Sequence, residues 1–298
     1  MAGSKERDRR RARERYERQR EIQLARQRKI RKRFGIGLAV VCVLGLIGGL
    51  TAVFATGGKP AAKPKASASA SATASASASA STVAEPATHC TYATSGVAAA
   101  AKKVSVPPVA PNYKATYTAA IHTNLGTIDM NLLNSKATCT VNSFVHLATA
   151  GYFNASQCHR VVNSQGLYLL QCGDPTAKAS TKLTCSTAAN APGSGGPGYE
   201  FASENLPTAA SSSASVTYAA GSVAMANSGT ATSNGSQFFL VFKNTTLGPD
   251  YTPFGTITSG LDILQNVAKA GTSCTFAGAG GGVPKDKVVI DSVSIKKT

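Results

Sequence analysis

The chain has 298 residues, a formal net charge of +17, seven Cys and no Trp. Its length allows one or two domains. The charge is uneven: residues 1–33 carry fifteen Lys/Arg against five Asp/Glu, so the basic balance describes a short arm and argues against nucleic-acid binding by the whole chain.

In chain order, the arm (residues 1–33) is rich in Arg, Glu and Gln and has no apolar stripe to bury. It is followed by 22 residues, Phe34 to Ala55, without a charge. At ~1.5 Å per residue such a run spans a ~30 Å hydrocarbon layer. We therefore read 34–56 as one transmembrane helix. Dense Lys/Arg on its N-terminal side predicts a single-pass plasma-membrane topology, with the N-terminus cytoplasmic and the remainder extracytoplasmic. The arm is expected to lie on anionic lipid at roughly 1 kcal/mol per basic residue, with no nucleic-acid partner. A cleaved signal peptide is the competing reading: a cut near Ala55 would give a secreted form. The apolar run exceeds the usual ~7–15-residue signal core, which favours a retained anchor. Cys42 lies within the run and is not read as a lipid-attachment site.

Residues 57–112 form an Ala/Ser/Pro-rich linker and barrel lead-in. The Ala/Ser alternation buries too little to fold and is expected to be a disordered, solvated spacer.

A folded domain is expected over 113–298. Tyr117, Ala119 and Ile121, then Ile128, Met130 and Leu132, alternate about a turn at Asn124, Leu125 and Gly126, the pattern of a hairpin buried on one face. Val141, Phe144, Val145 and Ala148 fall on one face of a short helix, with Thr138 or Thr140 as its cap and Gly151 at its end. Strands are expected at 158–162 and 168–172, long loops over 174–217, and strands at 223–227 and 237–242. A second helix starts at Ser259 with Leu261, Leu264 and Ala268 on one face, and a last strand covers 288–295. Many strands, two helices and no βαβ rhythm predict a mainly β fold, an antiparallel barrel or sandwich covered by helices.

Six Cys lie outside the apolar run, an even count that suits disulfides on the oxidising side. Cys158 with Cys172, on neighbouring predicted strands, and Cys185 with Cys274, in two loops, are the candidate pairs; Cys139 competes for Cys158. Neither the Cys nor the four His show metal-ligand spacing, so no metal is expected. His146 and His159 read as packed histidines bonded to backbone.

There is no nucleophile elbow, zinc helix or phosphate loop, and no acid/base pair. After residue 33 the chain holds a single arginine, Arg160, among strand-forming apolar residues. A lone guanidinium there suits a specific hydrogen-bonding task, because its planar fork presents fixed donors. With Tyr168, Phe238, Phe239, Tyr251 and Phe254 and the amides of Gln171, Asn227, Asn234 and Gln237, it suits an apolar pocket with a few fixed donors.

Cys158-His159-Arg160, Leu170-Gln171-Cys172-Gly173-Asp174, the glycine-rich stretch ending in Tyr199-Glu200-Phe201, Glu204-Asn205, and Met225-Ala226-Asn227 with Asn234-Gly235-Ser236-Gln237-Phe238-Phe239 stand in an order that resembles the cyclophilin family of peptidyl-prolyl isomerases. The resemblance runs from about Thr116 to Ile295 and does not cover residues 1–112. It implies a closed eight-stranded antiparallel barrel capped by two helices, and cofactor-free catalysis of X-Pro rotation in extracytoplasmic proteins. By the same resemblance Arg160, Gln171 and Asn227 are the catalytic group. Tyr168, Leu169, Phe239 and Leu247 line a proline pocket, Ala226 and Gln237 join Gln171 and Asn227 in holding the peptide backbone, and Tyr251 replaces a histidine common in the family. Where many members carry Trp, the nearest residue here is Thr246, which weakens the expectation of tight cyclosporin binding. The implied partners are proline-containing segments of secreted or envelope proteins. A non-catalytic proline-peptide-binding module or chaperone tethered at the membrane is the alternative.

Overall fold

The computed structural model describes residues 86–164, 166–185, 192–209, 214–276 and 280–298. The basic arm, the apolar run 34–56 and the Ala/Ser tract lie outside the described residues. Among those described, no helix is long and apolar enough to cross a membrane.

Alternation at period two builds the barrel. Strand β1 (Tyr117–Thr123) turns into β2 (Gly126–Leu132), and Ile121 pairs directly with Ile128. Helix α1 (Thr138–Thr149) follows. Then come β3 (Ser156–Gln157), β4 (Arg160–Ser164), β5 (Leu167–Cys172), β6 (Val216–Tyr218), β7 (Ser222–Met225), β8 (Phe238–Val241), β9 (Thr245–Leu247) and β10 (Pro253–Ser259). Helix α2 (Leu261–Ala270), β11 (Thr272–Thr275), β12 (Gly282–Pro284) and β13 (Val289–Lys297) complete the chain.

Strands β3 and β4 belong to one extended run. Its first half pairs with β13 and its second with β5, so the order β13-β1-β2-β10-β7-β8-β5 closes on itself through that run. The result is an eight-stranded antiparallel barrel. Strands β11 and β12 form a hairpin added at β4, while β6 and β9 make a separate ribbon.

The interior holds Ile121, Ile128, Met130, Leu170, Leu240 and Phe254, each no more than 1% exposed. Val141, Phe144 and Leu147 of α1 and Leu264 and Val267 of α2 join the same core, at roughly 1.5–3 kcal/mol per large apolar side chain buried. The expected Thr cap of α1 is not found. The Thr138 hydroxyl donates to Asn134 O, and the Glu204 carboxylate instead accepts from Cys139 N at 3.0 Å and Thr140 N at 2.7 Å. A remote carboxylate thus satisfies first-turn N–H groups and complements the helix dipole. Helix α2 begins at Leu261, after Gly260 in a left-handed conformation, rather than at Ser259.

Among the described residues there are three disulfides: Cys158–Cys172 and Cys185–Cys274, as read from the sequence, and Cys90–Cys139. The last of these ties a strap, residues 90–111, to α1. Cys90 and Tyr92 are buried in the main core, and the Tyr92 ring meets those of Tyr199 and Phe201 edge-on at 5.4 and 5.7 Å. Lys102 Nζ donates to Gly151 O at 2.7 Å and Tyr152 O at 3.0 Å, just beyond α1, where orphan helix carbonyls favour a cation. This part of the expected lead-in is therefore packed structure.

Candidate active site

Register explains which side chains meet. Arg160 on β4 pairs with Gln171 on β5, Gln171 with Phe239 on β8, and Phe239 with Ala224 on β7. Two residues along, Val162 pairs with Leu169 and Leu169 with Val241. Directly paired residues share a face, and this face is the outside of the barrel. Val162, Leu169, Ala224, Phe239 and Val241 form a second apolar cluster there, separate from the interior and covered by Tyr218 of β6. Leu247, Tyr251 and Ala226 pack at its edge, together with Leu167.

Tyr168 stands apart from this group. It has the strand parity of the inward-facing Leu170 and Cys172, packs on the interior cluster, and its ring lies 6.1 Å from that of Phe242. Tyr168 is half-buried, with Lys243 Nζ 4.7 Å from its ring centroid, while Leu167 packs at the edge of the outer cluster. Thr246 is exposed on β9 and pairs with Thr217.

At one end of the outer cluster a hydrogen-bonded relay begins. Arg160 Nη1 donates to Gln171 Oε1 at 3.0 Å, Gln171 Nε2 donates to Gln237 Oε1 at 3.0 Å, and Gln237 Nε2 donates to Gly193 O and Gly195 O at 2.9 Å each. Arg160 Nε is held by Gly280 O at 3.0 Å. Burial lowers the guanidinium's pKa, and the Tyr251 hydroxyl opposes that shift; the group stays charged at ordinary pH. The rings of Phe239 and Tyr251 sit 5.5 Å apart, edge to face.

Asn227 uses its amide internally, donating to Asp250 O at 2.8 Å and accepting from Gly229 N at 3.0 Å. Gln171, Ala226, Asn227 and Gln237 also border a cavity of about 470 Å³ on the far side of the relay. Gly173 secures the strand end: its φ is +87°, and an added Cβ would collide with Ser236 O, a conformation suited to glycine.

Behind the relay His159 is 1% exposed, and among the described residues neither ring nitrogen has a hydrogen-bond partner. The backbone bond expected for this histidine is therefore not made. Burial lowers its pKa to about 4, with Asp174 opposing and Arg160 reinforcing. Among the described residues no group of three or more His, Cys, Asp or Glu converges as a metal site would require.

Tyr218 escaped sequence reading. Its hydroxyl donates to Tyr251 O at 3.0 Å and accepts from Tyr251 N at 3.2 Å, so it positions both Phe239 and Tyr251. Its strand has three residues in a Ser/Ala-rich stretch, too short a signal to stand out.

The model of the cyclophilin type peptidyl-prolyl cis-trans isomerase/CLD family matches residues 118–295, more than half of the chain. The chain belongs to this family. Among curated cyclophilins, the probable peptidyl-prolyl cis-trans isomerase B of Mycobacterium leprae is 41% identical over 216 residues, covering 70% of this chain and 66% of the relative. The corresponding Mycobacterium tuberculosis protein is 41% identical over 203 residues, covering 65% and 60%. The chain thus spans somewhat less than two thirds of the length of these two relatives. Peptidyl-prolyl cis-trans isomerase A of Mycobacterium tuberculosis is 33% identical over 199 residues, covering 61% of this chain and 93% of its own. A crystal structure of a Cryptosporidium parvum cyclophilin type isomerase aligns with a TM-score of 0.45 and 22% identity, over 61% of this chain and 99% of that one.

Proposed function

We propose that this cyclophilin is a peptidyl-prolyl cis-trans isomerase acting on proline-containing segments of extracytoplasmic proteins. The observation that carries this reading is the placement of one oriented guanidinium, Arg160, at the edge of an outward apolar cluster of Leu169, Phe239, Leu247 and Tyr251.

Amide resonance sets a barrier of ~18–20 kcal/mol, and an X–Pro bond turns over in roughly tens to hundreds of seconds unaided. At the twisted transition state resonance is lost and the prolyl nitrogen becomes a better acceptor. A fixed donor facing that nitrogen stabilises the twist more than either planar form, which is the condition for catalysis. In this reading Phe239 and Leu169 grip the proline ring, Arg160 donates to the twisting amide, and Gln171 holds Arg160 in place. The main chain at Ala226 and Asn227 runs alongside the peptide. No proton transfer or cofactor enters.

The test is the rate of cis-to-trans conversion of a proline peptide with the full-length chain, wild type against Arg160→Ala. Acceleration by the wild type alone supports the reading, and equal rates overturn it. Peptide binding without acceleration by the wild type would favour a tethered binding module instead. A fragment starting after residue 111 is a poor substitute, because it lacks Cys90 and Tyr92 of the core.

The same reading has the chain anchored by residues 34–56, with the arm at the cytoplasmic face on anionic lipid. The uncharged run after a basic arm supports this, as does a domain carrying three disulfides. Protease added to intact cells should digest the domain and spare the arm; a protected domain would refute the topology.

A further inference from the structure

The two acceptors that hold Arg160 differ in how firmly they are themselves held. Gln171 sits inside the barrel sheet, paired with β4 on one side and β8 on the other. Gly280 belongs to the β11–β12 hairpin, which is paired to the sheet through one residue pair, Gly282 with Val161. The chain at this contact reads Gly280-Gly281-Gly282, and glycine loses more conformational freedom on ordering than any other residue. Its own backbone therefore does little to secure the Gly280 carbonyl.

Other contacts fix the hairpin. Phe276 N donates to Gly281 O and Lys285 N to Gly271 O, both at 2.9 Å, which closes it internally. Gly281, at φ +67°, lies so close to β4 that an added Cβ would collide with Val161 O. Strand β11 forms the edge of the sheet, and there Cys274 is joined to Cys185. Cys185 follows a segment bound to the barrel beside β3. Gln157 N donates to Ala177 O, Gln157 Nε2 donates to Lys178 O and Thr181 O, all at 2.7 Å, and Ala179 N donates to Ala155 O at 2.8 Å. The disulfide carries that anchorage across to the outer strand of the hairpin.

We propose that Cys185 and Cys274 are positioning residues for Arg160: their cross-link holds the β11–β12 hairpin where the Gly280 carbonyl meets Arg160 Nε. The consequence for rate rests on the isomerase reading, because what is positioned is the donor to the twisting amide. With the cross-link opened, the hairpin hangs on β4 by one pair, the Gly280 carbonyl shifts, and the guanidinium plane is no longer fixed. A donor that swings loses part of the pre-organisation on which its effect depends. The outer cluster of Leu169, Phe239 and Tyr251 is not touched, so the loss should fall on kcat and spare KM.

The experiment uses the full-length chain in detergent micelles, labelled with 15N at arginine Nε. Arg160 is the only arginine after residue 33, and its Nε–H resonance is identified by its absence from Arg160→Ala. In the wild type the bond to Gly280 O should slow exchange of that proton with water. Cys185→Ala with Cys274→Ala should speed the exchange and lower kcat, each by about tenfold, a part of the ~100-fold that one oriented donor supplies. Gly281→Ala keeps the disulfide but drives the hairpin off β4. It should do the same, and it carries the test should the double variant fail to fold. Cys90→Ala with Cys139→Ala opens a disulfide of the strap; it should lower the melting temperature and leave kcat and the exchange rate at their wild-type values. A wild-type exchange rate or kcat in the Cys185 and Cys274 variant or in Gly281→Ala, or the same losses in the strap variant, would overturn the inference and leave the isomerase reading standing. A wild type that accelerates no proline peptide would overturn the isomerase reading, while the exchange rates still decide whether the cross-link positions Arg160.

Discussion

Gln171 Oε1 accepts a hydrogen bond from Arg160 Nη1 at 3.0 Å, between residues directly paired across β4 and β5. With Nε on Gly280 O, the guanidinium is held at two points and its plane is set before any ligand arrives. Gln171 in turn gives its N–H to Gln237, so the amide cannot flip without losing both partners. Orientation of the donor is therefore a property of the sheet register. This is the pre-organisation that stabilisation of a transition-state charge requires.

Arg160→Ala is expected to lower kcat/KM for prolyl isomerisation by about 100-fold, as for loss of a single oriented transition-state donor. The barrel interior is untouched, so the loss of stability should not exceed about 1–3 kcal/mol, the cost of leaving Gln171 Oε1 and Gly280 O unpaired. Arg160→Lys should recover little, since an ammonium lacks the planar fork that reaches Gln171 and Gly280 together. Peptide assays and thermal melts on the same preparations check both.

Tyr218→Phe removes one hydroxyl that bonds both the N–H and the C=O of Tyr251. Leaving those groups unpaired should cost about 1–3 kcal/mol of stability. Because Tyr251 and Phe239 would lose their support, KM is expected to rise more than kcat falls. Denaturant unfolding and steady-state kinetics separate the two effects, and an unchanged KM would deny Tyr218 a positioning role.

His159 gives the protein a pH dependence whose sign is set by its pKa of about 4 in the fold against ~6.5 in an unfolded chain. The unfolded chain then binds the extra proton between these values, so stability falls as pH drops from about 6.5 to 4. The loss approaches about 3 kcal/mol at the acid end. His159→Gln should flatten this part of the melting-temperature profile. A variant with the wild-type slope would assign it to other groups.

Cys158 and Cys172 bracket the Arg160 and Gln171 pair from the interior side, 14 residues apart in sequence. Replacing both with Ala should cost about 3 kcal/mol, the chain-entropy value for a loop of that size, plus the packing of two buried sulfurs. The relay depends on β4–β5 pairing, which survives, so activity at low temperature should fall by much less than in Arg160→Ala. Urea titration alongside the peptide assay tests both statements.

Residue order by itself determined much of the barrel. The alternations Tyr117/Ala119/Ile121 and Ile128/Met130/Leu132 have only one way to bury an apolar face, and α1 carries its apolar stripe at helical spacing. The singular Arg160 and the motif order around it pointed to the site, because a lone charge among strand formers stands out locally. Short or polar segments gave no such signal: β6, β9, β11 and β12 have three or four residues each, and β10 begins at a proline. Register decided the rest. It turned Tyr168 inward, with the parity of Leu170 and Cys172, and left Leu167 beside Leu169. Tertiary contact alone brought Glu204 to the start of α1, Tyr218 under Tyr251, and the strap across the glycine-rich segment 193–198. Each of these joins residues more than 30 positions apart, and no local pattern in a sequence encodes which distant partner will satisfy a given buried group.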